Sequence, residues 1–369
     1  METKHCMFDF EKEDFFVIKD NYKKIKDISS KLLFGNRVNE CKLSIMIPTY
    51  LRNNFLLETI DSALAQTVRT KYEIVVVDNN DDPNDLGTLN VIKKYGADKV
   101  CYYKNEKNLG MFGNWNRCIE LARGDWVLIL HDDDLIENDY LEEMIKVLNR
   151  YPESFCIGCD HKEIDLDGMV KTTKKTALNR ILDIMGKGKT FQLKIKDMYY
   201  IHPIDIMGCF LNRKAAIEIG GFDERWYPIS DYVFLLNMVY RGKVWQIEKK
   251  LFLYRVAVNV SFRVDHVIGC LEADISMRKC INKKFAFRDR EKDLRLRSIL
   301  ENNQERDSFM RFGSKLSDNE KEKVQEEFIL YKTYCGLYDV NQFMHSVFHW
   351  FQRWYIFKMR CIRAKRIRT

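Results

Sequence analysis

The chain has 369 residues, 61 Lys and Arg against 54 Asp and Glu, and a hydrophobic fraction of 46% with 5 Pro and 17 Gly. That composition excludes a disordered, collagenous or single short-module protein and supplies enough apolar residues for a sizeable core. The net charge of +7 sits in the last segment, where Arg353, Lys358, Arg360, Arg363, Lys365, Arg366 and Arg368 occur without an acid, so the body is neutral and offers no basic groove for nucleic acid.

Residues 1–41 mix eight basic with eight acidic residues and are expected to form a helical N-terminal extension carrying no chemistry. They contain no apolar signal-peptide core, and no stretch of the chain reaches the roughly 18 apolar residues of a membrane span. Eleven scattered cysteines fit free thiols in a reducing cytoplasm.

From Lys42 the pattern turns to strand, helix, strand: Leu43 to Ile47, Phe55 to Gln66, Glu73 to Val77. Leu56, Ile60, Ala63 and Leu64 share one helical face, and the unbroken run Ile74 to Val77 reads as a parallel strand covered on both sides. Strands at Val100 to Tyr103 and Trp126 to Leu130, with helices around Asn114 to Ala122 and Asp139 to Arg150, extend the series into an α/β domain with a mostly parallel sheet flanked by helices. Beyond Tyr151 the rhythm predicts short strands and loops to about residue 262, then a charged helical region over 263–369. The predicted organisation is thus 1–41, 42–262 and 263–369.

Ligands of open α/β sheets sit beyond the carboxyl ends of the strands. Those ends carry Pro48, Thr49, Tyr50 and Arg52; then Asp78 to Asp82; then His131, Asp132, Asp133 and Asp134. Three adjacent aspartates repel one another unless a cation or hydrogen-bond donors compensate them, and a hard Mg²⁺ or Mn²⁺ shared with nucleotide phosphates would do so. A solvated turn is the plainer account of any one such run. Successive runs at the strand ends of one sheet argue against it.

The blocks LSIMIPTYLRNNFLLETIDSALAQT, EIVVVDNNDDP, NLGMFGNWNRCIELARGDWVLILHDDD and GGFDERWYPISDYVFLLNMVYRGKVW resemble, in order and spacing, the inverting glycosyltransferases of family two, whose nucleotide-diphosphosugar transferase fold is called GT-A. The resemblance implies that Pro48, Thr49, Tyr50, Arg52, Asn108, Gly110, Asn116 and Asp132 lie along the nucleotide and that Asp78 accepts from its base. It also implies a divalent metal at the aspartate block. His131 departs from the commonest pattern there, so the ligands could be Asp133 or the pair Asp132 and Asp134; we place the metal on Asp133 and Asp134. Asp231 matches the carboxylate that deprotonates the acceptor, although Ser230 replaces a frequent Glu; read locally, Asp231 is instead a helix N-cap. Asp223, Glu224 and Trp226 match a loop that contacts sugar.

The resemblance further implies a nucleotide-diphosphate sugar donor, UDP-linked, and a saccharide acceptor, lipid-linked in bacterial surface polysaccharide synthesis. Rival readings are a nucleotidyltransferase of similar fold, which would want more than Arg52 to grip a triphosphate, and a non-catalytic nucleotide-sugar-binding protein. GKGKT at 186–190 lacks the first glycine and the preceding strand of a phosphate loop, and the single CxxC of Cys156 and Cys159 lacks a second pair for zinc. In the tail, Phe343, Val347, Trp350, Trp354 and Phe357 fall on one helical face ahead of the basic run, which predicts docking on the anionic inner face of the cytoplasmic membrane.

Overall fold

The computed structural model describes residues 13–171, 189–200, 203–256, 264–289 and 365–366. The predicted tail helix at 343–357 and residues 186–188 of the GKGKT segment lie outside them. Within 13–41 there is no α-helix among the described residues; one 3₁₀ turn, Asn21–Lys24, precedes strand β1, Ser30–Phe34. β1 pairs antiparallel with β4, Cys101–Asn105, so this segment is an edge of the main sheet.

Four parallel strands form the centre: β4, β3 (Tyr72–Asp78), β2 (Leu43–Thr49) and β5 (Trp126–Ile129), in that spatial order. Every residue of β2 is buried, the consequence of covering a parallel sheet on both faces. Alternation along the strands feeds two apolar layers: Met46, Val75 and Val77 point into one, and Ile45, Ile47, Ile74 and Val76 into the other. Helix α1 (Leu56–Leu64) buries Leu56, Ile60 and Ala63 in the second layer, joined there by Tyr140, Leu141, Met144 and Val147 of α4 (Tyr140–Arg150). The first layer takes Phe112, Trp115, Cys118 and Ile119 of α3 (Gly110–Leu121). A short helix, α2 (Gly87–Ile92), lies between β3 and β4.

Beyond β5 the sheet continues through mixed pairings, where the sequence pattern had suggested only short strands. After the two-residue β6 (Leu135–Ile136), β7 (Ser154–Ile164) runs parallel to the 13-residue β10 (Lys243–Arg255). β8 (Lys189–Gln192), β9 (Phe210–Asn212) and β11 (Lys365–Arg366) complete the order β1-β4-β3-β2-β5-β9-β7-β10-β8-β11, with β6 on β10. Helices α5 (Ile195–Tyr200), α6 (Arg213–Glu218), α7 (Ser230–Arg241) and α8 (Val264–Phe285) flank this half. No described helix is long and apolar enough to cross a membrane. The eight described cysteines are all free.

Candidate active site

The parallel order sets the carboxyl ends of β2 and β5 side by side. Thr49, the last residue of β2, donates from Oγ1 to Asp132 Oδ2 at 2.7 Å. Arg52, on the loop after β2, reaches the same turn; its NH1 donates to Asp133 Oδ2 and its Nε lies 3.6 Å from Asp132 Oδ1. One guanidinium thus stands between two carboxylates. Burial drives the Asp132 carboxyl up to about 6; Asp133 pushes the same way, and Arg52 and Thr49 oppose.

Asp134 faces the other direction. It is fully buried, its Oδ1 accepts from the Arg255 backbone N–H at 2.8 Å, and its Oδ2 lies 3.3 Å from His131 Nδ1. Arg255, itself without exposed surface, donates through its guanidinium to the carbonyls of Asp133, Asp165 and Leu166 and to Glu58. The aspartate turn is therefore clamped from behind by a residue that sequence reasoning did not single out. A lone Arg ending the strand KKLFLYR carries no local signal of that contact.

Asp132 and Asp133 fit a hard divalent cation as donor atoms: two adjacent carboxylates at the cleft, with phosphate oxygens to complete the sphere, are the usual protein share of a Mg²⁺ site. Arg52, 42% exposed at its side chain, can leave them. Asp134 is turned inward: its Oδ1 accepts from the Arg255 N–H and its buried Oδ2 faces His131 Nδ1 at 3.3 Å. Among the described residues no group of three or more His, Cys, Asp or Glu is arranged to hold a metal ion.

His131 stacks on Trp115 with ring centroids 5.0 Å apart. Burial disfavours its charge, yet the facing Asp134, with Asp133 and Asp132, raises its pKa. Trp115 also meets Phe222 edge-on at 5.2 Å. The loop carrying Phe222 is pinned to α3: Asn116 Nδ2 donates to Phe222 O at 2.8 Å and its Oδ1 accepts from Phe222 N at 2.7 Å. Gly221, at φ +73°, passes so close that a Cβ would lie 2.3 Å from Asn116 Oδ1. Asn116, 2% exposed, thus pins the Phe222 loop to α3.

From that loop the chain enters α7, whose N-cap is Ile229 and not Asp231. Asp231 lies in the first turn, half-buried, with Oδ1 accepting from the Tyr232 N–H at 2.8 Å. Its pKa rises to about 6 because burial disfavours the charge, with a smaller push from Asp205; the Tyr232 N–H and, more weakly, His131 oppose. Asp231 is thus within electrostatic reach of the aspartate turn. A carboxylate tuned toward neutrality is suited to take a proton from a hydroxyl.

Several expected contacts turn inward. Asp78 is 1% exposed; its Oδ1 accepts from Asn80 N at 2.9 Å and its Oδ2 from Tyr102 Oη at 2.8 Å. Asn108 Oδ1 accepts from Asn79 Nδ2 and from the N–H of Gly110, whose φ of +71° lets the chain turn into α3. Pro48 lies within β2 rather than on a loop. Asp223 caps the 3₁₀ turn Glu224–Trp226 and pairs with Arg225 and Lys24, and Trp226 is buried against Phe15 with centroids 4.5 Å apart. Of Asp223, Glu224 and Trp226 only Glu224 is exposed; its Oε1 stands 3.4 Å from where a Gly110 Cβ would be. Tyr50, 49% exposed, flanks the mouth with Arg52.

Residues 44–220 match the family model described as glycosyl transferase family 2. Among similar proteins, the poly(ribitol-phosphate) beta-N-acetylglucosaminyltransferase TarP of Staphylococcus aureus (strain N315) is 26% identical over 223 residues, covering 59% of this chain and 63% of that protein. An uncharacterized glycosyltransferase of Rickettsia typhi is 36% identical over 193 residues, covering 52% and 56%. The chain thus spans less than two thirds of the length of these curated relatives. Among solved structures, S. aureus TarS 1-349 in complex with UDP aligns with a TM-score of 0.48 at 18% identity, over 67% of this chain and 72% of that one. The same protein in complex with UDP-GlcNAc gives 0.48 at 17%, over 71% and 81%.

Proposed function

From the match of residues 44–220 to the glycosyl transferase family 2 model, we propose that the chain transfers a sugar, with inversion, from a UDP-linked donor to a hydroxyl of a saccharide acceptor. The observations that support this reading are the Arg52, Asp132 and Asp133 group at the sheet end and the half-buried carboxylate of Asp231, whose pKa is raised to about 6 and which feels the charge of His131 from the same turn.

In this reading Thr49 holds Asp132 in place and Arg52 moves from the carboxylates to the donor diphosphate. Asp132 and Asp133 would hold a Mg²⁺ or Mn²⁺, which would supply neutralising charge for the departing diphosphate. Asp231 accepts the acceptor's hydroxyl proton as the new glycosidic bond forms and the bond to the diphosphate breaks. Asn116 and Gly221 fix the loop leading to Asp231, and Glu224 and Tyr50 border the sugar. The acceptor is taken to be a surface polysaccharide, and the basic tail to hold the enzyme at an anionic membrane where that acceptor grows.

A panel of nucleotide sugars with Mn²⁺ and bacterial glycan acceptors tests this. Release of nucleoside diphosphate that depends on acceptor supports it. Pyrophosphate release from a nucleoside triphosphate, or donor binding without turnover, would replace it with the nucleotidyltransferase or the binding-protein reading.

A further inference from the structure

Asp205 and His161 belong to the same sheet end as the aspartate turn, and the mechanism above uses neither. Leu128 of β5, Phe210 of β9 and Ile157 of β7 stand side by side across the sheet, and β7 runs in the direction of β5 because each is antiparallel to β9. Four residues beyond that row β5 has given way to Asp132 and β7 has reached His161, while the segment leading into β9 carries Asp205 at the same edge. Asp205 Oδ2 lies 4.0 Å from His161 Nδ1, with the two side chains 50% and 31% exposed. The His161 ring meets that of Tyr254, near the end of β10, edge-on at 6.0 Å.

The local sequence holds Asp205 outward. Ile204 and Ile206, on either side of it, are both buried in the first apolar layer, so the residue between them turns away from the core. The backbone is fastened beneath: Cys209 N donates to Ile206 O at 3.0 Å, Cys209 Sγ to Asp205 O at 2.8 Å, and Tyr140 Oη to Gly208 O at 3.1 Å. At 4.0 Å the carboxylate and the imidazole are too far apart to hydrogen-bond, so neither uses up the capacity of the other. Asp205 is also among the charges that Asp231 feels, which sets the pair on the side of the cleft where a hydroxyl would meet its base.

We infer that Asp205 and His161 form a subsite for the acceptor saccharide beside Asp231, in which the Asp205 carboxylate accepts from sugar hydroxyls and a His161 ring nitrogen bonds a neighbouring one. A carboxylate makes charge-assisted hydrogen bonds, about twice as strong as neutral ones, so one such group can hold a polyol at an open surface. The same charge repels phosphate, which excludes the diphosphate of the donor from this spot and leaves it to the Arg52, Asp132 and Asp133 end. The half-buried Tyr254 ring beside His161 supplies apolar surface with a polar tip, suited to a ligand that is itself both. Calling the saccharide the acceptor rests on the proposed transferase activity; the saccharide site does not.

Saturation-transfer NMR on the full chain tests the subsite, with UDP and Mn²⁺ present and the methyl glycosides of glucose, galactose, mannose and N-acetylglucosamine as probes. At least one glycoside should receive saturation from the parent chain. Its Kd should rise about tenfold or more in Asp205→Asn, which keeps the size of the side chain and removes its charge, and several-fold in His161→Ala. UDP affinity by calorimetry and the unfolding midpoint should match the parent in both variants, because neither side chain is buried. No saturation of any probe by the parent, or a Kd unchanged in Asp205→Asn, overturns the subsite. A glycoside held through Asp205 by a chain that transfers no sugar would remove the transferase reading and leave the saccharide site standing. Sugar transfer by Asp205→Asn with the parent's KM for acceptor would do the reverse.

Discussion

Arg255 donates its backbone N–H to Asp134 Oδ1 at 2.8 Å across 121 residues of sequence, and its guanidinium binds the carbonyl of the neighbouring Asp133. The end of β10 thereby holds the turn that follows β5, and the same side chain lies over the Phe55 ring at 4.4 Å. Arg255→Met should leave the carbonyls of Asp133, Asp165 and Leu166 buried without their donor. At about 1 to 3 kcal/mol for each such group, the loss should exceed about 3 kcal/mol. Urea unfolding measures it, and a change below about 0.5 kcal/mol, the range of ordinary surface substitutions, would mean the clamp is immaterial.

Asp231 sets the pH dependence. As a base it works ionised, so with its pKa raised to about 6 transfer should climb as pH rises through about 6 and level off above it. Stability should move oppositely. The folded state holds the proton up to about pH 6 and the unfolded state only up to the ordinary aspartate value, so stability falls as pH rises between the two. Asp231→Asn should therefore lose about a hundredfold or more in turnover, keep donor binding, and melt higher than the parent at neutral pH. Wild-type turnover, or a lower melting temperature, would contradict this account.

Asp78 separates stability from recognition. With its carboxylate buried and held by Asn80 and Tyr102, Asp78→Ala should cost about 1 to 3 kcal/mol of folding free energy for each partner left unpaired. Tyr102→Phe should reproduce part of that loss without touching the cleft. If Asp78→Ala weakens UDP binding tenfold by calorimetry while unfolding is unchanged, the carboxylate turns to the base after all.

The parallel centre of the fold is legible because its strands are continuous apolar runs and its helices repeat with a helical period. α2 escapes because GTLNVI is too short to show one. β1 escapes because an edge strand with three exposed residues in SKLLF lacks inside–outside alternation. β10 looks broken in sequence because Glu248, Lys249 and Lys250 sit where its pairing register with β7 shifts. At the site, residue types at strand ends reveal where chemistry gathers but not which way a side chain turns. Asp132 and Asp134 are two positions apart and face opposite environments. Asn116 finds its partner 106 residues away, a distance that no local pattern encodes.

The tail can be tested independently of the catalytic centre. Seven Lys and Arg residues over 353–369, each adding roughly 1 kcal/mol of attraction near an anionic surface, should make the full chain sediment with phosphatidylglycerol vesicles at low salt and release at high salt. A chain ending before Phe343 should keep donor binding and lose sedimentation. Full-length protein that stays in the supernatant at low salt would end the membrane reading.

The metal role divides the aspartate turn. Asp133 presents its carboxylate to the exposed Arg52, whereas Asp134 gives its own to Arg255 N and His131. Asp133→Asn should therefore weaken Mn²⁺ binding, read by the paramagnetic signal of free Mn²⁺, while leaving the unfolding midpoint near that of the parent. Asp134→Asn should do the reverse, since an amide can keep one acceptor for Arg255 but sets an N–H₂ or a neutral oxygen against His131, at a cost of about 1 to 3 kcal/mol for the mismatched buried group. EDTA should abolish transfer in the parent chain, because charge building on the leaving diphosphate then lacks its counter-ion. If Asp134→Asn loses Mn²⁺ and Asp133→Asn does not, the cation sits on the inward side of the turn and Arg255, not Arg52, is the cation that must yield to it.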